Sequence, residues 1–188
     1  SYYLETADVS KIIKDIESNV SSDAFIIACY EDTGIDVIRK ITSKPVIGLG
    51  EAAFYTASII ANTFSIITNL SKSHEALKNN LIKYDLDNKC VSLKSIEVPI
   101  LDMETMSQSN VKKLESEINR TIVEDNPEAI IITSPGILNL TKTFSDRFNI
   151  PIVEGVSAAA TLLETLSKQN LKIKKFSSPP NKNYGIPI

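Results

Sequence analysis

Asp23-Ala24-Phe25-Ile26-Ile27-Ala28-Cys29 recurs in residue type as Glu128-Ala129-Ile130-Ile131-Ile132-Thr133-Ser134. Further along, the stretch 44–53 recurs as the stretch 150–159. The offset is 105 residues at the first stretch and 106 at the second. Each copy ends its apolar strand on a residue with an exchangeable proton, Cys29 in the first and Ser134 in the second. A duplication of this length predicts two similar lobes whose equivalent loops face each other across one cleft.

Composition narrows the class of protein. The chain has 188 residues, is 43% hydrophobic and carries a formal charge of -3 with a pI near 5.3, so a general nucleic-acid-binding face is not expected. No apolar run approaches the ~20 residues of a membrane helix. Two cysteines far apart in sequence favour free thiols and a cytoplasmic location. A single histidine argues against a structural metal site, and we expect no metal.

Hydrophobic periodicity predicts strands that alternate with helices along the whole chain, which is typical of a parallel, wound α/β protein. The expected helices cover 9–20, 34–41, 51–62, 73–84, 110–124, 138–148 and 157–169. The expected strands cover 24–28, 46–47, 64–68, 91–98, 129–133 and 152–153. The fold class is therefore α/β, with two pseudo-symmetric parallel-sheet lobes related by internal duplication.

The repeat also suggests how the lobes divide the chain. We expect residues 1–61 with 157–188 to form the first lobe and 62–156 to form the second. The strand 64–68 has no counterpart in the first copy, because its equivalent falls before residue 1. A parallel lobe without that strand would expose unpaired backbone. We therefore expect that roughly forty or more residues precede this sequence and contain the opening strand.

Cys29 and Ser134 follow directly on buried-type strands, at the sheet edge where wound α/β proteins bind ligands. A helix starts after Cys29, and its free N–H groups would favour the thiolate; the alternative for Cys29 is a packed core thiol. Ser134 needs a neighbouring base to act as one. Its alternative is a helix cap in a strand-to-helix turn, where Pro135 supplies no N–H.

Other motifs carry weaker signals. The stretch 48–53 (GLGEAA) fits a dinucleotide fingerprint, but a very short strand precedes it and no acid ends the next strand, so we interpret the glycines as permitting close approach at the cleft. His74 is expected at the surface and Cys90 in packing. Asp102 and Glu104 are expected in a solvated loop, with a cap over the cleft as the alternative.

Five stretches in register resemble the Asp/Glu/hydantoin racemase superfamily, in its hydantoin and allantoin racemase branch. They are 26–34 (IIACYEDTG), 45–53 (PVIGLGEAA), 64–73 (FSIITNLSKS), 98–104 (VPILDME) and 151–160 (PIVEGVSAAA). The resemblance implies racemisation of a small molecule without a cofactor, in a homo-oligomer, with two cysteines on opposite faces of the substrate's α-carbon. It matches Cys29 to the first of these cysteines. The matching substrate-binding positions are Tyr30, Thr68, Asn69, Pro135, Gly136, Gly155 and Val156.

Two departures from the family pattern bear on the activity. Ser134 stands at the second cysteine's position and is followed by Pro135, and Glu31 and Thr33 replace the usual glycine and proline after the first cysteine. Three explanations stay open: an engineered serine, a one-cysteine relative such as a decarboxylase or isomerase, or a binding protein that has lost the activity.

Overall fold

The computed structural model describes residues 2–19, 21–99, 102 and 107–174. Its helices are α1 (Tyr2–Ser18), α2 (Ile35–Ile41), α3 (Leu49–Ile60), α4 (His74–Lys83), α5 (Gln108–Asp125), α6 (Thr141–Phe148) and α7 (Gly155–Lys168). Its strands are β1 (Phe25–Ile27), β2 (Val46–Gly48), β3 (Phe64–Thr68), β4 (Cys90–Ser95), β5 (Ala129–Ile132) and β6 (Ile152–Val153). Strands and helices alternate, as the periodicity predicted.

The described strands form two parallel sheets, which confirms the predicted fold class. One has two strands, β1 and β2, and the other has four in the order β4-β3-β5-β6. Every residue of β3 and β5 is buried, because helices cover both faces of the larger sheet. All strands run parallel, so their carboxyl ends meet at one edge of each sheet.

The strand register shows the same duplication as the sequence. In the first sheet Phe25 pairs with Val46. In the second sheet Ile130 pairs with Ile152. These are equivalent positions at the two sequence offsets, so both copies build the same strand pair. Within the described residues, β1 pairs with β2 alone, whereas β5 pairs with β3 on one edge and with β6 on the other. The opening strand expected beside β1 stays a prediction.

Helices fill both faces of the larger sheet with apolar side chains. On one face Phe54 of α3 stacks on Phe64, with ring centroids 6.5 Å apart. On the other, Leu114 and Ile118 of α5 pack with Phe144 of α6. The last helix, α7, packs against α3 and β2. This packing is what we expect if α7 belongs with the first lobe, although that division stays a prediction.

Several predicted boundaries were wrong for local reasons. The helix predicted at 51–62 begins at Leu49 and ends at Ile60, because Gly50 joins its first turn. The helix predicted at 138–148 starts only at Thr141, after a 3-10 turn, Pro135–Ile137. The strand predicted at 91–98 ends at Ser95, near Glu97, whose positive φ of 51° interrupts extended backbone.

Among the described helices, none has the length and apolar character that a membrane span requires.

Candidate active site

A cavity of about 360 Å³ opens between the carboxyl ends of the two sheets. One wall comes from the loop after β1 and from the start of α3, and the facing wall comes from the loops after β3 and β5. Its lining residues are Ala28, Cys29, Tyr30, Glu31, Leu49, Asn69, Leu70, Lys72, Ser73, Thr133 and Val156. Of the residues proposed from sequence, Cys29, Tyr30, Asn69 and Val156 line this cavity.

The Cys29 thiol is half-buried and has a specific partner. Its Sγ donates a hydrogen bond to Glu31 Oε2 at 2.9 Å and lies 3.7 Å from Thr33 Oγ1. Burial, followed by the hydrogen bond and the negative charge of Glu31, raises the pKa of the Cys29 thiol. This direction is opposite to the one expected from the neighbouring helix, because burial of the thiol, followed by the nearby carboxylate, disfavours the thiolate.

Glu31 is held by residues at the start of and within α4. Ser73 Oγ donates to Glu31 Oε1 at 2.6 Å, and Asn80 Nδ2 donates to the Glu31 carbonyl oxygen at 2.7 Å. Burial works to raise the pKa of Glu31, but the hydrogen bonds from Cys29 and Ser73 and the charge of Lys72 hold it below its ordinary value. Glu31 therefore sits as a fixed carboxylate beside the thiol.

Two polar side chains at the ends of β3 and β5 lack protein partners among the described residues. Both polar atoms of the Asn69 amide and the hydroxyl of Ser134 are buried, and within the described residues none of them has a hydrogen-bond partner. Asn69 is 5% exposed and Ser134 is 3% exposed. A buried polar group without a partner costs about 1–3 kcal/mol, which a bound ligand can offset. The alternative of Ser134 as a helix cap is wrong, because its side chain makes no capping bond.

Ser134 differs from Cys29 in its access to the cavity. Thr133 contributes to the wall, whereas Ser134 does not, and its hydroxyl oxygen is closed to solvent. Pro135 and Gly136 belong to the turn that follows, and Gly136 lies outside the lining residues. The structure thus places Cys29 and Ser134 at equivalent strand ends but exposes only the thiol to the cleft.

Thr68 supports the wall from behind. Its hydroxyl donates to the Leu70 carbonyl oxygen at 3.0 Å and lies 3.2 Å from His74 Nε2. His74 is therefore half-buried and attached to a proposed site residue, in contrast to the surface position expected from sequence. The two contacts fix the turn that carries Asn69, so Thr68 acts on the site through that turn.

The glycines of the 48–53 stretch serve close packing. Asp32 accepts hydrogen bonds from the amides of Gly50 at 3.0 Å and Glu51 at 2.8 Å, and so occupies the N-terminus of α3. A Cβ at Gly48 would lie 1.8 Å from Asp32 Oδ1, and one at Gly50 would lie 2.2 Å from the Tyr30 carbonyl oxygen. A bound pyrophosphate would need the amides of Gly50 and Glu51, which Asp32 already occupies. The contacts therefore agree with the interpretation that these glycines permit close approach of the backbone.

The second copy uses another residue for the same purpose. Glu154, the counterpart of Gly48, caps α7 by accepting from the amides of Val156 at 2.7 Å and Ser157 at 2.8 Å. The Gly155 amide donates to the Tyr30 hydroxyl at 2.8 Å. The amides of Gly155 and Val156 thus have partners within the chain, and the expectation that these two residues bind substrate stays a prediction. Val156 contributes its side chain to the cavity, and Gly155 lies outside the lining.

Sequence reasoning missed several lining residues. Ser73 and Lys72 stand at the end of a matched stretch, so their position was a usable signal, whereas Leu49, Leu70 and Thr133 join the site only through folding. Cys90 packs against the core as expected. Of the loop 100–106, only Asp102 is described, so the prediction for Glu104 lies outside the described residues.

A larger cavity of about 650 Å³ lies between the C-terminal end of α3 and the start of α7. Its walls include exposed apolar side chains, among them Ile59, Ile60 and Leu138. It contains neither Cys29 nor Asn69. We place the chemistry in the smaller cavity, because Cys29 and Asn69 both line it. No cluster of three or more metal-ligating side chains occurs in the described ranges.

A cleft at the carboxyl ends of parallel strands is where wound α/β enzymes bind small molecules. Comparison with known proteins identifies the family. The sequence model of the Asp/Glu/Hydantoin racemase family matches residues 3–163. The chain belongs to this family and is a racemase-type enzyme, which confirms the resemblance seen in the sequence.

Individual relatives agree with this assignment. The chain is 30% identical to a hydantoin racemase of Pseudomonas sp. (strain NS671) over 189 residues, covering 98% of this chain and 76% of the relative. An allantoin racemase from Klebsiella pneumoniae superimposes with a TM-score of 0.82 at 28% identity, covering 94% of this chain and 73% of the other. Arylmalonate decarboxylase shares the fold, with a TM-score of 0.66 at 13% identity, over 86% of this chain and 77% of the other.

Proposed function

We propose that this protein is a cofactor-independent isomerase that exchanges a proton at the α-carbon of a hydantoin, allantoin or amino-acid-like carbon acid. Cys29 is the exchanging group and Ser134 is its weak counterpart on the other side. The proposal takes the substrate class from the names of the relatives, a hydantoin racemase and an allantoin racemase. The proton-transfer chemistry is inferred from the residues that line the cleft.

The observation that carries the proposal is that the Cys29 thiol and the unpaired Asn69 side chain line one cavity from opposite lobes. A proton next to a carbonyl is weakly acidic, and a thiolate in contact with the carbon can remove it. The negative charge then develops on the carbonyl oxygen. The amide N–H groups of Asn69 are unoccupied donors that can stabilise this charge.

The second face is weaker as a source or acceptor of protons. A hydroxyl is a much poorer acid than a thiol and needs a neighbouring base. In the described part of the chain, no base contacts the Ser134 hydroxyl. We therefore propose strongly unequal faces: Cys29 takes and returns the proton on its own face, and inversion through the Ser134 face is slow.

Deuterium wash-in from D2O tests this proposal. The chain is incubated separately with the L- and D-forms of hydantoins, allantoin and aspartate, and both deuterium content and enantiomer are followed. We expect exchange into one enantiomer, mostly with retention, and its loss in Cys29→Ala. Exchange with full inversion would show that the second face also delivers protons. Exchange that survives Cys29→Ala, or none with any substrate, would overturn the proposal in favour of a decarboxylase-like or ligand-binding protein.

A further inference from the structure

The proton on Cys29 has a defined position in the resting protein. Sγ donates it to Glu31 Oε2 at 2.9 Å, and Thr33 Oγ1 at 3.7 Å and the Glu31 main chain are further polar neighbours of the sulfur. The family resemblance gives no role to a carboxylate at this position, because glycine is usual there. Glu31 is thus a feature of this chain's own cleft.

The carboxylate cannot easily leave the thiol. Its other oxygen, Oε1, accepts from Ser73 at 2.6 Å, and the Glu31 main chain accepts from Asn80 at 2.7 Å. Ser73 and Asn80 lie on the far side of the cleft, at the start of and within α4. The result is a chain of contacts, Cys29 to Glu31 to Ser73, that crosses from one lobe to the other.

The charges around this contact are few. Lys72 lines the same cavity, is exposed, and acts on Glu31. Tyr30 lines the cavity too, but its hydroxyl is bonded to the Gly155 amide and burial raises its pKa, so it stays neutral. His74, on α4, is bonded to Thr68. Glu31 is therefore the charged group in direct contact with the thiol.

We propose that the Glu31 carboxylate holds the proton on Cys29 Sγ and thereby makes Cys29 the proton donor of the resting cleft. The inference rests on the proposed function in one respect, that Cys29 is the exchanging group. A hydrogen bond from a thiol to an anion stabilises the thiol, and the same anion repels the thiolate. Both effects favour the protonated form of Cys29.

A protonated Cys29 affects the order of the catalytic steps. Before Cys29 can remove a substrate proton, the S–H bond must break and its proton must pass to Glu31 Oε2 or to water. No oxidant or other reactant is needed, because only a proton moves. The reverse direction, in which the thiol gives its proton to an enolate, starts from the resting state. We infer that Cys29 is better prepared to protonate a substrate than to deprotonate one.

Thiol alkylation tests the proposal without any substrate. In a Cys90→Ala background, which leaves Cys29 as the single cysteine, the rate of reaction with iodoacetamide is measured from pH 6 to pH 10.5. We expect Glu31→Gln to move the midpoint of the rate profile to lower pH by about one unit or more. The rate near pH 7.5 then rises by about tenfold, because the thiolate fraction grows tenfold per unit.

Two further variants separate charge and access from the proposed contact. Glu75→Gln removes the same charge from an exposed site in the first turn of α4 and should leave the midpoint unchanged. Glu31→Asp keeps the charge on a shorter side chain and should give an intermediate midpoint. A change of access alone alters the plateau rate at high pH but not the midpoint, so the two effects are distinguishable.

The outcomes divide cleanly. The proposal is supported if the midpoint pH of alkylation is lowest in Glu31→Gln, intermediate in Glu31→Asp and highest in the parent. This holds whether or not deuterium exchange is found. An unchanged or raised midpoint in Glu31→Gln overturns it, even if Cys29 proves essential for exchange. Should Glu31→Gln fail to fold by circular dichroism, Glu31→Asp provides the same comparison: a lowered midpoint supports the proposal and an unchanged one overturns it.

Discussion

The hydroxyl oxygen of Tyr30 accepts a hydrogen bond of 2.8 Å from the amide of Gly155, a residue 125 positions away in the chain. The contact joins the loop after β1 to the start of α7. Gly155 has no side chain because there is no room for one: a Cβ would lie 2.5 Å from the Leu49 carbonyl oxygen and 2.9 Å from Tyr30 Cε1. The contact fixes the part of the cavity wall to which Tyr30 and Val156 contribute.

Tyr30→Phe should destabilise the protein and loosen this part of the cavity wall. The substitution leaves the Gly155 amide without an acceptor, which costs about 1–2 kcal/mol. Urea unfolding measures the loss, and KM for an identified substrate should rise more than kcat falls. Tyr55→Phe is the matched control, since Tyr55 is 39% exposed and lies outside the cavity. Equal stability of the two variants would contradict the prediction.

Cys29 and Cys90 should differ in their effect on exchange rather than on stability. Cys29→Ala should abolish deuterium exchange and lose about 1–2 kcal/mol of stability, because the half-buried thiol packs against a core cluster as well as lining the cavity. Cys90→Ala should retain exchange and lose about 1–2 kcal/mol of stability, because Cys90 packs against the core. The paired measurements are isotope exchange and urea unfolding. Residual exchange in Cys29→Ala would exclude the thiol as the exchanging group.

How much of the site could be predicted depends on the range of the interactions. The repeat placed Cys29 and Ser134 at strand ends, and the equivalent pairs Phe25–Val46 and Ile130–Ile152 agree with it. Such features follow from local pattern and from the geometry of parallel strands. The family and the fold class were predictable for the same reason.

Contacts between distant side chains were not predictable in this way. The bond between Glu31 and Ser73 joins residues 42 positions apart, and the bond between Asp32 and Gly50 joins residues 18 apart. Periodicity carries no information about such pairs. The sequence showed Glu31 only as a departure from a pattern, and its effect on the Cys29 thiol depends on a rotamer and on burial that only the fold defines.

Ser134→Ala should separate stability from function. The hydroxyl is buried without a partner among the described residues, so its removal should leave the unfolding free energy unchanged or raise it by up to about 1 kcal/mol. Inversion in the deuterium assay should fall further. Ser134→Cys supplies a better acid at the same strand end and should raise racemisation at least tenfold. Inversion that is equal in the alanine and cysteine variants would contradict a role for this position.

Asp32 should make stability depend on pH in the acidic range. It is 4% exposed, and burial raises its pKa to about 6 in spite of hydrogen bonds from Tyr84, Glu51 and Gly50. Its model-peptide value is 3.8. The folded protein therefore holds this proton more tightly than the unfolded chain does. The stability that the proton contributes is fully present below about pH 4 and is lost as pH rises through about 6.

The expected size of this stability effect follows from the folded and unfolded pKa values of Asp32. A shift of about two units corresponds to about 3 kcal/mol between the two protonation states. Urea unfolding of the wild type and of Asp32→Asn at pH 4, 5, 6 and 7 measures it. Asp32→Asn should be the less stable at pH 4, since its amide N–H2 cannot replace a carboxyl oxygen that accepts a helix N–H.

The difference in unfolding free energy between wild type and Asp32→Asn should then shrink as pH rises to 7. Only the wild type loses the stability that the Asp32 proton contributes. Glu31 acts in the opposite sense, since its lowered pKa gives stability that is lost on acidification, but it is present in both proteins and cancels in the difference. A wild-type advantage over Asp32→Asn that grows with pH would mean that the Asp32 carboxylate is more stable in the folded protein than in the unfolded chain, which is the reverse of what its burial predicts.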